Sequence, residues 1–169
     1  MILETERLII RKFDLDMAED VHLNSLDEDN RRFVPDEVFE TVEDAKETLE
    51  YLISVYDAND KPQVYPVFTK QSNKNIGYVQ FVPLDDKTWE VGYHIAKQYT
   101  NKGYCTEALK TFLPYMANKY GVNEVYGICL KENVASVAVM RKCGFETLYT
   151  GIGNYQGEDK EIIKNILKF

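Results

Sequence analysis

The sequence predicts a mixed α/β (α+β) fold: a mostly antiparallel sheet flanked by helices. Three observations carry that prediction. Residues 63–96 hold three β-type segments divided only by short polar breaks, the pattern of an antiparallel meander. Residues 89–106, WEVGYHIAKQYTNKGYCT, read as a strand that passes through a short polar loop directly into a helix. Further helical and strand-like segments alternate on either side of that stretch, over a chain of 169 residues that is long enough to bury one core.

In chain order, residues 7–13 form a short β-type run, with Leu8 and Ile10 opposite Ile9. Residues 14–16 offer N-cap chemistry for a short helix over residues 17–23. Residues 24–40 are polar and acidic, with Pro35, and read as a loop or a broken helix. Thr41 followed by Asp44 forms a capping box, and Ala45, Leu49, Leu52, Ile53 and Tyr56 then keep helical spacing. Strands follow at 63–70, 75–82 and 88–96, with Pro66 marking an edge or a bulge in the first. The helix after the polar loop puts Cys105, Ala108, Leu109, Phe112, Leu113, Met116 and Tyr120 on one face. Pro114 inside it predicts a kink near Lys110, and Gly121 ends it. A strand at 124–130 and a helix at 133–142 come next, the helix capped by Asn133 and closed by Gly144. Residues 145–152 form another strand, and GIGNYQG (151–157) reads as a hairpin loop. The closing run EIIKNILKF (161–169) suits a helix as well as a strand.

Composition bounds the function. Charged residues at 28% and hydrophobic residues at 44% are ordinary for a soluble globular chain. A net charge of −8 argues against a nucleic-acid partner and fits a cationic substrate. The three cysteines, Cys105, Cys129 and Cys143, have no metal-ligand spacing, so no metal is expected and reduced thiols in the cytoplasm are. The N-terminal MILETERLIIRKF carries charges through its apolar run, unlike a signal peptide, and no stretch reaches membrane-spanning length. Oligomeric state has no signature.

The loop at 98–104 places Asn101 and Gly103 where the backbone turns sharply. A helix starting there leaves its first N–H groups unpaired, with the positive end of its dipole facing the loop, so it binds phosphate without a basic side chain. No G-x-x-x-x-G-K-[ST] run is present, and Gly151, Gly153 and Gly157 have the wrong spacing for a dinucleotide fingerprint. Two histidines, His22 and His94, leave little for a histidine-based triad.

Three stretches in order, LETERLIIRKF, EVGYHIAKQYTNKGYCTEALK and NVASVAVMRKCGF, resemble the GCN5-related N-acetyltransferases (GNAT), and within them the ribosomal-protein alanine acetyltransferases. The resemblance spans nearly the whole chain, residues 1–169 as one domain. It implies a GNAT-like fold with splayed central strands holding acetyl-CoA. The family's pyrophosphate loop, Q/R-x-x-G-x-G/A, falls on Thr100, Asn101, Lys102, Gly103, Tyr104 and Cys105, with Thr106 following. Gly103 matches; Thr100 and Cys105 depart from the pattern, which amide-based binding tolerates. The backbone of His94, Ile95 and Ala96 corresponds to the strand that grips the pantetheine arm, with Gly92 suited to a bulge, and Asn133 to a position near the thioester.

The implied activity is transfer of an acetyl group from acetyl-CoA, the cosubstrate, directly to a primary amine of a small molecule or a protein N-terminus. An alkyl amine with pKa about 10.4 is protonated at neutral pH, so a base must free it and an acid must meet the departing thiolate. Glu90, on the strand face of His94, is the candidate base, or else a solvent-facing strand glutamate. Met140 stands where many relatives carry a tyrosine acid, and Ser136 matches the donor of the ribosomal-protein branch, or else bonds locally at a helix start. Tyr93, Tyr104 and Tyr126 could line the site, but among twelve tyrosines packing is their default reading. The competing reading is a non-catalytic acyl-CoA sensor or docking module. The acceptor itself is set by the variable segments 24–40 and 151–158.

Overall fold

The computed structural model describes residues 2–169. Eight strands form one sheet in the order β1-β2-β3-β4-β5-β6-β8-β7. They are β1 (Ile2–Glu4), β2 (Leu8–Arg11), β3 (Gln63–Thr69), β4 (Asn75–Pro83), β5 (Trp89–Ile95), β6 (Glu124–Leu130), β7 (Glu146–Tyr155) and β8 (Glu158–Lys168). Helices are α1 (Ala18–Ser25), α2 (Glu28–Phe33), α3 (Val42–Ser54), α4 (Tyr104–Tyr120) and α5 (Val134–Lys142). Every neighbouring pair is antiparallel except β5 and β6. The mixed, mostly antiparallel architecture is the one the sequence predicts.

Strand periodicity sorts the side chains into two layers. On one face, Val79, Phe81, Trp89 and Val91 meet α4, whose Ala108, Leu109, Phe112, Leu113 and Met116 are all buried. Phe81 stacks on Trp89 at 4.7 Å, Trp89 meets Tyr120 at 4.7 Å, and Tyr65 meets Phe112 edge-on at 5.7 Å. Each such side chain contributes about 1.5–3 kcal/mol by leaving water. The other face carries α1 to α3, α1 packing on α3 and β4. The Thr41–Asp44 box caps α3 in both directions, and Gly121 (φ +65°) ends α4 in the left-handed region.

Several local expectations change. Residues 24–40 take the broken-helix alternative: α2, capped by Asp27 on the Asn30 amide, and then a 3₁₀ turn at Pro35–Glu37. Asp14 caps nothing with its side chain, which pairs with Arg11 instead. β3 is interior to the sheet; Pro66 lies one residue beyond the β2–β3 ladder, which ends at Val67, where the β3–β4 register also shifts. GIGNYQG is strand up to Tyr155, with the turn confined to Gln156 and Gly157, both in the left-handed region (φ +53° and +82°). Residues 161–168 are strand: Ile162 and Ile166, spaced by four, satisfy both periods, and pairing with β6 and β7 on the two sides decides between them. Gly92 sits in an unbroken β4–β5 register and forms no bulge there.

Candidate active site

β5 pairs with β4 along its length, from Pro83↔Trp89 to Gly77↔Ile95, but with β6 at Glu90↔Tyr126 alone. Beyond Glu90 the two strands part, while β6 stays paired with β8 on its other edge as far as Leu130. A cavity of about 300 Å³ occupies this gap. Its walls include Glu37, Gln80 and Glu90 from the α1–α3 face and Tyr93, Ser136 and Met140 from the α4–α5 face. It therefore passes through the sheet and brings side chains from both layers into one space.

On the first face, burial pushes the Glu90 carboxyl up to about 7, with Lys164 pulling weakly the other way. Glu37 rises to about 7 as well, through burial and then the neighbouring Asp36 charge, against a hydrogen bond from Gln80. Gln80 Nε2 donates to Glu37 Oε1 at 3.2 Å; Glu37 Oε2 is buried without a partner. Gln80 lies flat over Gly92, where a Cβ would come within 2.1 Å of Nε2. Thus Gly92 is required for the close approach of a side chain. His94, on the same strand face, is turned away from this space. Its Nε2 meets Asp27 Oδ2 at 3.0 Å, tying β5 to the start of α2, and its ring lies against Tyr78. Burial opposes ionisation of Asp27, but the His94 contact and the Asn30 amide outweigh it and lower its pKa.

On the second face, Asn133 Oδ1 accepts from the Ser136 amide at 3.1 Å, which starts α5 and aims Ser136 back at the sheet. The Ser136 hydroxyl lies 2.8 Å from the Tyr93 hydroxyl, which also donates to the Ser136 carbonyl at 3.2 Å. Burial holds the Tyr93 phenol well above its ordinary pKa, so it stays protonated and can donate a hydrogen bond. Met140 fills the floor, its Cε within 2.3 Å of where a Cβ on Gly127 would stand.

Next to the gap is the loop before α4. Asn101 (φ +60°) and Gly103 (φ +78°) are both left-handed. The first helical bond runs from Glu107 N to Gly103 O, so the amides of Tyr104, Cys105 and Thr106 have no intrahelical partner. A Cβ on Gly103 would meet only Arg7 Nη2, at 3.5 Å, leaving the backbone approachable. Thr100 Oγ1 donates within its own turn to Lys97 O, and the Lys102 ammonium lies over the Tyr99 ring. Of the three strand-end positions, Ala96 has its N–H on Ile76 O and its carbonyl on Tyr99 N, and His94 shares its parity and faces β4. Alternation leaves Ile95 with its backbone toward the gap.

Arg7 locks the loop. Its Nε donates to Glu107 Oε2 at 2.7 Å, its Nη1 to Lys102 O at 2.9 Å, and its guanidinium lies 4.6 Å over the Tyr104 ring. Burial opposes ionisation of Glu107, yet hydrogen bonds from Thr5 and Arg7 win and lower its pKa. Arg7, Glu37 and Gln80 are site residues that sequence reasoning passes over, and Tyr93, whose default reading is packing, lines the cavity. Only the meeting of the Pro35–Glu37 turn with β4, of β5 with α5, and of Arg7, just before β2, with the loop before α4 distinguishes them. No three potential metal ligands cluster among the described residues.

The family described as acetyltransferase (GNAT) domain matches residues 7–146. The chain belongs to the GNAT acetyltransferases. An uncharacterized N-acetyltransferase, YnaD of Bacillus subtilis, is 30% identical over 145 residues, 85% of this chain and 82% of that one. A GNAT-family acetyltransferase structure from Bacillus anthracis superimposes with a TM-score of 0.83 at 26% identity, covering 99% of this chain and 98% of that one. The ribosomal L7/L12 α-N-protein acetyltransferase RimL, solved with coenzyme A, has the same fold: TM-score 0.83, 18% identity, 99% and 98% coverage. This GNAT domain is accordingly an acetyl-CoA-dependent N-acetyltransferase, and the parted β5 and β6 are the splayed strands of that fold.

Proposed function

We propose that this GNAT enzyme transfers an acetyl group directly to a primary amine, of a small molecule or a protein N-terminus, with Glu90 as base and Ser136 as acid. The observation that carries the reading is the cavity through the sheet, which Glu90 lines from one face and the Tyr93–Ser136 pair from the other. An amine entering from the α1–α3 side reaches a carboxyl whose pKa of about 7 suits proton uptake at neutral pH. On the far side, Ser136 gives its hydroxyl proton to the leaving sulfur and recovers one from solvent in the open cavity, with the Tyr93 hydroxyl holding it in place.

Acetyl-CoA fits the residues present. The unpaired amides of Tyr104, Cys105 and Thr106, with Asn101, Lys102 and Gly103 shaping the loop, would hold the pyrophosphate. The backbone at Ile95, between His94 and Ala96, would meet the pantetheine arm, and Asn133 would keep Ser136 aimed at the sulfur. When bound, acetyl-CoA supplies the activated acyl group. Transfer through a cysteine is disfavoured, since burial raises the thiol pKa of Cys105, Cys129 and Cys143, leaving little thiolate. We take residues 1–169 as one domain working in the cytoplasm, where three free thiols persist.

Acetyl-CoA turnover against a panel of amines tests the assignment. Release of CoA that depends on an amine supports it; tight CoA binding with no turnover on any amine would replace it with an acyl-CoA sensor.

A further inference from the structure

The gap between β5 and β6 has a closed end. The strands are paired at Glu90↔Tyr126 and open beyond it, so Val91 and Gly127 stand at the apex of the gap. Tyr93 and Cys129 come next on the same α4–α5 face. Helix α5 runs across that face in step with the strands. Its Ser136 hydroxyl meets the Tyr93 hydroxyl, with the Cys129 thiol beside it. Met140 comes one turn later, about 6 Å along the axis, and reaches the apex. A Cβ on Gly127 would overlap the Met140 methyl, Cε, and would stand 2.6 Å from Sδ and 3.3 Å from Val91 Cγ1.

This close approach accounts for a glycine inside β6. Glycine weakens a strand and is kept where another group must come near the backbone. Here that group is the Met140 thioether. Met140 is only 2% exposed, yet it is part of the cavity wall, so its side chain is a surface on which a bound chain would end. It carries no proton to give, and the chemistry at the sulfur does not need it.

We infer that Met140 sets the length of acyl group this enzyme accepts: its thioether closes the apex of the strand gap just past an acetyl methyl and excludes longer chains. The inference rests on the proposed function for one point, that the thioester sulfur lies at Ser136. The pantetheine arm then enters from the Ile95 end, and the acyl carbons beyond the sulfur continue toward Glu90, where Gly127 and Met140 stand. The other way out of the gap, toward the α1–α3 face, is the path of the amine, so a long chain that turned there would block the reaction.

Calorimetric titration without amine reads acyl binding apart from turnover. CoA, acetyl-CoA, propionyl-CoA and butyryl-CoA are compared on the wild type, Met140→Ala and Met140→Leu. The wild type is expected to prefer acetyl-CoA to butyryl-CoA. Alanine frees the space of Cγ, Sδ and Cε, which the two extra carbons of butyryl can fill, so the butyryl-to-acetyl affinity ratio should rise about tenfold. Leucine conserves the volume of methionine and should hold the wild-type ratio. CoA, which carries no acyl group, should bind all of them alike and so reports that each is folded. Met140→Val, a smaller cut, should shift the ratio part of the way, and it replaces the alanine variant if that one does not bind CoA. A wild type that prefers butyryl-CoA, a ratio that truncation leaves unchanged, or one that Met140→Leu shifts as far overturns the inference. A ratio that shifts as expected in a protein that turns over no acyl-CoA with any amine upholds Met140 and overturns the transferase reading instead.

Discussion

The hydroxyls of Tyr93 and Ser136 lie 2.8 Å apart, across the junction of β5 and α5 and 43 residues apart in sequence. Ser136 alone is a poor acid; the neighbouring phenol, which stays protonated, holds its hydroxyl in place. Tyr93→Phe keeps the ring and removes the proton. It is expected to lower kcat about tenfold or more with little change in the acetyl-CoA KM, and Ser136→Ala about as much. The double variant should lose little beyond either single one, because the two groups act as one hydrogen-bonded unit. Additive losses in steady-state kinetics would show that they act separately.

Glu90→Gln removes the base without changing shape. The turnover rate should fall roughly 10²–10³-fold. The wild-type kcat/KM should rise through about pH 7, where the Glu90 carboxyl ionises, and the variant should lack that limb. A pH–rate profile of both proteins reads the result directly.

The raised carboxyls also predict the pH dependence of stability. With folded pKa values of about 7 against 4.5 for an ordinary glutamate, Glu37 and Glu90 bind more protons in the native than in the unfolded state between those values. Their contribution is complete below the unfolded pKa and lost as pH rises through the folded one, by at most about 3 kcal/mol each. Glu37→Gln and Glu90→Gln should therefore raise the melting temperature near pH 8 and change it little near pH 5. A stabilisation of equal size at both pH values would contradict the burial argument.

Gly103 and Gly121 flank α4 with the same left-handed backbone, at φ +78° and +65°. Alanine at either is expected to cost about 1 kcal/mol and a few degrees of melting temperature. Only Gly103→Ala should also weaken CoA binding, because only it perturbs the amides of the anion loop. Calorimetry with CoA and a thermal scan separate the two effects.

Arg7→Lys tests the clamp. Its guanidinium is partly exposed, so global stability should change by under about 1 kcal/mol. Lysine cannot hold Glu107 and the Lys102 carbonyl in one plane, and CoA affinity is expected to fall about threefold to tenfold. Unchanged affinity would mean that the loop keeps its shape without the clamp.

Much of this protein follows from local chemistry. The Thr41–Asp44 box, the Asn133 cap, the left-handed turn at Gly103 and the alternation through Trp89–Ile95 depend on neighbours a few residues away, and the sequence by itself determined them. The family resemblance added the fold, because its motifs lie on those same local features. Tertiary structure decided the rest. It chose strand for residues 161–168, where a spacing of four fits two periods. It parted β5 from β6 beyond Glu90, while β6 kept its full ladder with β8. It also brought Glu37 to Gln80 and Tyr93 to Ser136, each pair 43 residues apart. Such meetings depend on register and on which faces bury against each other, and neither is encoded within a single turn or strand.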